Sequence, residues 1–348
     1  MQNKAASITK IGWDIGGAHL KYCVISNDSD IIWYDIIDFE FWKEYKKFKN
    51  IVIKINSIYS KKNHHTENYF TMSAEMCDCF DNRADGVDYI VKQIIESKYV
   101  SYIFTKNGFQ NSLKINKASF KYIGSFNWYA TALYISSLFS DIIAIDFGST
   151  TCDFLIIKNG KIKNKRTSDI TGLQSHELLY TGCARTPIYA HTNEITYKNK
   201  IYKIIPEQFS SMSDIYVILD KLPVDDIYSK ALNMNDHSKI NACKRISRSF
   251  GFDFAYNKLD LIKNLSEQIY DHQIKLIEKN ILFHKRKYFN ENKKLDIMGL
   301  GLGHRAISHI AQKNNLNYID INNILEMEID RGSELTKLFS SYVMCKLK

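Results

Sequence analysis

The chain has 348 residues, 45% hydrophobic and 24% charged, an ordinary globular composition that excludes a disordered or fibrous protein. Its net charge of +9, from 47 basic and 38 acidic residues, is spread along the chain and not gathered with aromatics, which excludes a dedicated nucleic-acid module and leaves a weak field favouring small anions. The length calls for two domains, and the 7 irregularly spaced cysteines make no secretory disulfide framework.

The opening Met1–Gly17 lacks the apolar core of a signal peptide, and no apolar run reaches the roughly 18–20 residues of a membrane span. The expectation is a reduced, cytoplasmic protein with small-molecule partners, no nucleic acid and no membrane, its oligomeric state left open. Lysine runs such as Lys43–Lys49 and Lys285–Lys287 read as solvated helix faces.

The first predicted elements are two apolar strands joined by a tight turn, Ile11-Gly-Trp-Asp14-Ile-Gly16-Gly17-Ala-His-Leu-Lys21-Tyr-Cys-Val-Ile25. A second turn, Asn27–Asp30, leads to a third strand at Ile31–Ile37. Helical periodicity follows at Gly86–Glu96, with Val87, Ile90, Val91, Ile94 and Ile95 on one face, and again at Trp128–Phe139. The opening pattern then returns as Ile143-Ala-Ile-Asp146-Phe-Gly148-Ser149-Thr150-Thr151-Cys-Asp153-Phe-Leu-Ile-Ile157, with a turn at Lys158–Lys161 and a third strand at Ile162–Lys165. Asp14 matches Asp146 and Gly16 matches Gly148, each 132 residues apart. Leu259–Phe289 reads as a long helical segment broken once. Ile297–Gly303 reads as a strand ending in a glycine turn before a helix at Ala306–Lys313, and Ser333–Cys345 as an amphipathic closing helix.

A meander repeated in this way predicts two similar α/β domains, 1–140 and 141–348, with the helix at about 333–345 packing back on the first. An Asp at a strand end followed by a glycine turn suits a metal-bound phosphate. Glycine lets the backbone approach the phosphate, turn amides donate to it, and a carboxylate holds Mg²⁺ directly or through water. One such turn is equally a plain hairpin; two copies between apolar strands point to phosphate loops. Gly16, Gly17, Lys21, Gly148, Ser149, Thr150 and Thr151 are therefore candidate phosphate-binding residues, and Asp14, Asp146 and Asp153 candidate Mg²⁺ ligands.

The turn Gly299-Leu-Gly301-Leu-Gly303 is either a simple strand-to-helix connection or a further ligand contact through Gly299 and Gly301. Glu75 and Asp78, in Ser73-Ala-Glu75-Met-Cys-Asp78-Cys79-Phe, suit a general base and its orienting partner, or a helix cap. Arg185, in Gly182-Cys-Ala-Arg185-Thr186-Pro187, suits a phosphate or carboxylate clamp with a catalytic role, or a salt bridge. His19 and His191 read as structural.

These strings, with Asn127–Ala132 and Asp85-Gly86-Val87, resemble the hydantoinase/oxoprolinase-like family of tetrahydromethanopterin-linked one-carbon transfer, within the actin, sugar-kinase and heat-shock-ATPase superfamily. The resemblance implies two actin-like (ribonuclease H-like) domains with a ligand cleft between them. It also implies a transferase of methanofuran-type cofactor biosynthesis, which joins an aminomethylfuran methyl diphosphate to γ-glutamyltyramine as an aryl ether and releases pyrophosphate. The segment Asp225–Asp236 and His191 depart from the family pattern. Competing readings are an ATP-dependent hydantoin or amide hydrolase, a sugar- or acyl-kinase-like phosphotransferase, and a non-enzymatic actin-like nucleotide-binding protein.

Overall fold

The computed structural model describes residues 7–26, 31–60, 64–227, 236–290, 294–324 and 332–347. The turn expected at Asn27–Asp30 and most of the polar segment Asp225–Asp236 lie outside these residues. The chain forms two units: Met1–Leu138 with Leu338–Lys348, and Phe139–Lys337.

In the first unit, β1 (Ser7–Ile15), β2 (His19–Ile25) and β3 (Ile31–Asp38) form the expected antiparallel meander. Two short helices, α1 (Phe41–Glu44) and α2 (Phe48–Tyr59), carry the chain to β4 (His64–Met72), which pairs parallel with β1. Then α3 (Arg83–Glu96) leads to β5 (Val100–Thr105), parallel to β4, and to the hairpin partner β6 (Gly108–Asn111). The sheet order β3-β2-β1-β4-β5-β6 contains the strand order of a ribonuclease H-like domain. Val87, Ile90, Val91 and Ile94 are buried as the 3.6-residue period requires, and the helix starts earlier than its apolar stripe because the Asn82 side chain caps the Asp85 amide. The lysines of the 43–49 run meet Glu40, Glu44 and Glu96 at the surface.

After α4 (Asn127–Leu138), the second unit repeats the plan. β7 (Ile142–Phe147) pairs antiparallel with β8 (Cys152–Lys158), and β9 (Lys161–Ile162) returns along β8. The third strand is shorter than predicted for a local reason. The Asn164 side chain accepts from the Ile156 amide at 2.8 Å and donates to the Phe154 carbonyl at 2.7 Å, taking the place of ladder bonds. Past α5 (Asp169–Gln174), β10 (Leu178–Leu179) occupies the edge beside β8.

A separate hairpin, β11 (Glu194–Tyr197) and β12 (Lys200–Lys203), precedes the helices α6 (Met212–Ile218), α7 (Lys239–Ser249) and α8 (Leu259–Tyr288). β13 (Asp296–Leu300), α9 (His304–Lys313), β14 (Asn317–Ile319) and α10 (Ile321–Ile324) complete the order β10-β8-β7-β13-β14, with β13 parallel to both β7 and β14. α11 (Gly332–Lys346) closes the chain, and from Leu338 onward it belongs to the first unit.

The break expected within Leu259–Phe289 is absent: α8 is one helix of 30 residues. Gln273, Asn280 and His284 interrupt its apolar stripe, yet all three are buried and bonded to loops. Gln273 donates to the Gly182 carbonyl, and Asn280 and His284 both meet the carbonyl of His176. Bonded to loops in this way, they extend the buried face and do not end it.

α11 lies on the first unit's sheet where Gly12 sits in β1. A Cβ at Gly12 would overlap the Ser341 carbonyl oxygen and lie 2.9 Å from Cys345 Sγ, so only glycine admits the helix at this distance. Tyr134 packs on Phe339 and Tyr342 with ring centroids 5.8 and 6.0 Å away. Gly12→Ala is therefore expected to lower stability by about 1–3 kcal/mol, the usual cost of overpacking. Thermal melts check this, and an unchanged midpoint would show that α11 is not so tightly seated.

Candidate phosphate-binding and active site

Each unit carries the repeated turn in the same form. The Gly16 amide donates to the His19 carbonyl at 3.0 Å, and the Gly148 amide to the Thr151 carbonyl at 2.9 Å. Both bonds close the hairpin just past the strand-end aspartate. The residue opposite that aspartate differs: Asp14 pairs across the ladder with Lys21, whereas Asp146 pairs with Asp153.

In the first unit Lys21 Nζ lies 3.7 Å from Asp14 Oδ2, and Ser340 on α11 donates to the same oxygen at 2.5 Å. Asp14 is 5% exposed, and its Oδ1 has no hydrogen-bond partner among the described residues. Lys21, expected at a phosphate, is thus placed beside Asp14. Gly17 is approached by Cys77 from the Ser73–Phe80 string: a Cβ there would lie 3.2 Å from Cys77 Sγ.

Glu75 is 1% exposed. Its Oε1 accepts from Ser125 Oγ at 2.8 Å, with Arg83 Nε at 3.9 Å. Gly86 and Gly124 close over it; a Cβ on the first would strike the Glu75 backbone and one on the second would lie 2.6 Å from Oε1. Two motifs singled out in the sequence, Ser73–Phe80 and Asp85-Gly86-Val87, thus meet around one buried carboxylate, with Gly124 and Ser125 arriving just before a third. Asp78, its expected orienting partner, is exposed in the turn beyond.

The second unit brings together three separate strings. Gly182 lies so close to the second turn that a Cβ would overlap Ser149 O, Ser149 C and Thr150 N. The amides of Cys183, Ala184 and Arg185 then donate to Gly148 O at 3.0 Å and to Ser149 O at 3.2 and 2.8 Å. Gln273 braces the loop from α8, bonding Thr181 Oγ1 at 2.8 Å and Gly182 O at 2.9 Å, while Tyr216 holds the Gln273 carbonyl. The Arg185 backbone is fixed at the turn while its side chain is exposed.

From the other side, the Gly303 amide donates to Phe147 O at 2.8 Å, and a Cβ at Gly301 would lie 2.7 Å from Asp146 Oδ1. Gly301 has φ +75° and donates its own amide to Thr336 O, and Gly299 is buried against α9. These two glycines make their close contacts with protein, leaving the turn between Gly148 and Thr151 as the open donor surface. Among the described residues the amides of Ser149 and Thr150 donate to nothing.

Asp146 and Asp153 project from facing ladder positions on one side of the sheet, an arrangement that repels unless a cation intervenes. Arg166 supplies one: its Nη1 is 2.6 Å from Asp153 Oδ1, and its side chain is 3% exposed. Among the described residues no group of three or more His, Cys, Asp or Glu is arranged around a metal. Magnesium needs fewer protein ligands than that, one or two carboxylates with the remainder from phosphate and water, and Asp146 beside two unused amides fits this requirement. Asp153 is paired with Arg166. Arg166, Gln273, Thr336 and Ser340 were not legible as site residues. Gln273 alone left a signal, as a polar break in an apolar stripe.

A duplicated ribonuclease H-like domain with a glycine turn at each first hairpin defines an actin-like α/β protein. The chain belongs to the hydantoinase/oxoprolinase family, whose model matches residues 67–330. It is 26% identical over 343 residues to the (γ-glutamylaminoethyl-phenoxymethyl-furanyl)methanamine synthase of Methanocaldococcus jannaschii, covering 97% of this chain and 96% of that one. It is 31% identical over 179 residues to the synthase of the same name from Methanococcus vannielii, covering 51% of this chain and 80% of that one. The nucleotide-free structure of acetone carboxylase shares the fold, with a TM-score of 0.52 at 8% identity over 96% of this chain and 70% of that one. No helix among the described residues is long and apolar enough to cross a membrane.

His191, which departs from the family pattern, lies behind the loop with Nε2 3.4 Å from Thr181 Oγ1. Burial, then the neighbouring His272, pushes its pKa down from 6.5 to about 4. The unfolded chain therefore binds more protons than the folded one between pH 6.5 and about 4, so stability is full above 6.5 and falls as pH drops through this window. Burial lowers the pKa of His284 and His304 as well, with the same sign. The melting temperature is expected to decline from pH 7.5 to 5, less steeply in His191→Gln. Parallel slopes would exclude His191 as a contributor.

Proposed function

We propose that this protein is an ether-forming synthase of methanofuran-type cofactor biosynthesis, taking an aminomethylfuran methyl diphosphate and γ-glutamyltyramine. The observation that carries the reading is the match along 97% of the chain to a synthase named for a product that contains a phenoxymethyl-furan ether. The second turn suits the diphosphate half of such a reaction.

In this reading the amides of Ser149 and Thr150 donate to the diphosphate, and Arg185, anchored by its backbone to Ser149, reaches its outer oxygens. Asp146 would hold Mg²⁺, which when bound would supply positive charge to neutralise the leaving group. The bond between the furan methylene and the diphosphate oxygen breaks, the electron pair leaving with pyrophosphate. The tyramine oxygen forms the new C–O bond and loses its proton. Donors fixed before the reaction stabilise the charge that builds on the departing oxygen without reorganising. Glu75, buried and held by Ser125, acts by shaping the Ser73–Phe80 and Ser125 segments; as the proton acceptor it would have to be uncovered.

The test is incubation with both substrates and Mg²⁺ in nucleotide-free buffer, followed by mass detection of the ether and of pyrophosphate. Coupled product is expected from the free phenol and none from the O-methyl analogue. ATP hydrolysis dependent on a hydantoin or lactam, with no ether formed, would favour the hydrolase instead. Asp146→Asn is expected to keep its fold and lose about a hundredfold or more in turnover; full activity in that variant would remove Asp146 from the site.

A further inference from the structure

Among the described residues of the second unit, Arg166 and Arg245 are the buried arginines, and each meets an aspartate. Arg166 pairs with Asp153 on β8, and Glu177 accepts from its amide at 3.0 Å. Arg245, on α7, is 2% exposed and faces Asp214 on α6, which is also 2% exposed. Its Nε and Nη2 both donate to Asp214 Oδ1, at 2.9 and 2.6 Å, and its Nη1 donates to the Asp236 carbonyl at 3.2 Å. A buried ion pair is a weak source of stability, because well-packed apolar residues of similar volume hold a core as well. What it fixes is direction, since the guanidinium fork admits few orientations of the carboxylate.

That direction reaches the loop carrying Arg185. The second oxygen of Asp214 accepts from the Ser211 amide at 3.1 Å, so one carboxylate ties the start of α6 to α7. The start of α6 in turn holds the loop. Met212 donates to the Thr186 carbonyl at 2.8 Å, Ser213 donates to the Ala184 carbonyl at 3.0 Å, and Pro187 bridges to Ser211. Arg185 lies between the two captured carbonyls, with its own amide on Ser149 O at 2.8 Å. Ala184 and Thr186 are buried and Arg185 is turned outward. Gln273 braces the loop at Thr181 and Gly182, and the Asp214–Arg245 pair braces it at the opposite end.

We propose that Arg245, acting through Asp214, is a positioning residue that sets the point from which the Arg185 guanidinium meets a diphosphate. This rests on the reading that a diphosphate occupies the second turn. Without the tie, α6 and the two carbonyls it holds can shift together while the Cys183 amide keeps its bond to the turn. A small displacement of the Arg185 backbone is magnified along so long a side chain. A fork that must meet two phosphate oxygens at once tolerates little of it.

The experiment uses full-length protein and inorganic pyrophosphate with Mg²⁺ as the probe. Binding is read by calorimetric titration without organic substrate, well below every variant's melting point. Arg185→Ala is expected to bind roughly tenfold more weakly. Arg245→Met combined with Asp214→Asn leaves no buried charge unpaired and keeps an acceptor for the Ser211 amide. That pair variant is expected to bind roughly fivefold more weakly. Added to Arg185→Ala, the same two changes should cost nothing further, because their effect runs through that side chain. Arg245→Lys, which keeps the charge and gives up the fork, should fall between wild type and the pair variant.

Full affinity in the pair variant, or an equal loss in both backgrounds, would overturn the proposal and leave the pair as packing. Should the pair variant not fold, Arg245→Lys takes its place in the cycle under the same two criteria. An unchanged affinity in Arg185→Ala removes Arg185 from the diphosphate, and the proposal with it. A wild-type chain that binds no pyrophosphate overturns the diphosphate reading itself, whereas pyrophosphate binding without ether synthesis overturns only the reaction.

Discussion

Backbone touches backbone where Gly182 meets the Ser149–Thr150 peptide, and much of the second unit is arranged to hold that contact. No side chain larger than hydrogen fits there, so the loop can come down far enough for three consecutive amides to reach the carbonyls of Gly148 and Ser149. With its carbonyls occupied from behind, the turn presents its amides outward. The unbroken course of α8 serves the same contact, because Gln273 must sit in the middle of a straight helix to bond Thr181 and Gly182 together. A helix broken at that point would leave the loop without its brace and a buried amide without partners, a loss of about 1–3 kcal/mol for each unsatisfied group.

The repeat preserves geometry more faithfully than chemistry. Both turns close with the same hydrogen bond, and both aspartates end the first strand, yet the ladder partner changes sign from Lys21 to Asp153. That single difference sets the first aspartate opposite a cation and the second opposite another carboxylate, which Arg166 meets from outside the repeat. Ser340 reinforces the contrast by taking one oxygen of Asp14 into a hydrogen bond from α11. The same fold thus gives Asp14 a lysine and a serine for neighbours and gives Asp146 a second carboxylate across the ladder.

The architecture was legible because it rests on patterns local to a few residues. Alternating apolar positions, the doubled Asp-x-Gly turn and the stripe through Val87 and Ile94 give the meander, its repeat and the flanking helix with little help from distant contacts. The failures share one cause. The break expected in α8 and the length expected for the strand at Ile162–Lys165 both depend on where a polar side chain finds its partner, which a linear pattern does not encode. Gln273 reaches a loop 91 residues away, and Asn164 turns back on the neighbouring strand. Arg166 was missed for the same reason: its meaning lies in Asp153 and Glu177. Glu75 was read as chemistry because of the string around it, and its burial beneath Gly86 and Gly124 appears only when three distant segments converge.

The burial of Glu75 also bears on the order of bond changes in the proposed reaction. A phenol with an ordinary pKa near 10 is a poor nucleophile at neutral pH unless a base takes its proton early. An electrophile that has already lost pyrophosphate asks less of it, since the furan ring shares the positive charge and attack by neutral oxygen becomes easy. The proton can then leave afterwards, when the oxygen has become strongly acidic, with water sufficient to accept it. A turn whose fixed donors are free to meet a diphosphate fits this order in the proposed reaction, departure first and deprotonation last. In the proposed reaction the demand on the protein would then fall on the leaving group, for which Ser149, Thr150 and Asp146 are the proposed contacts.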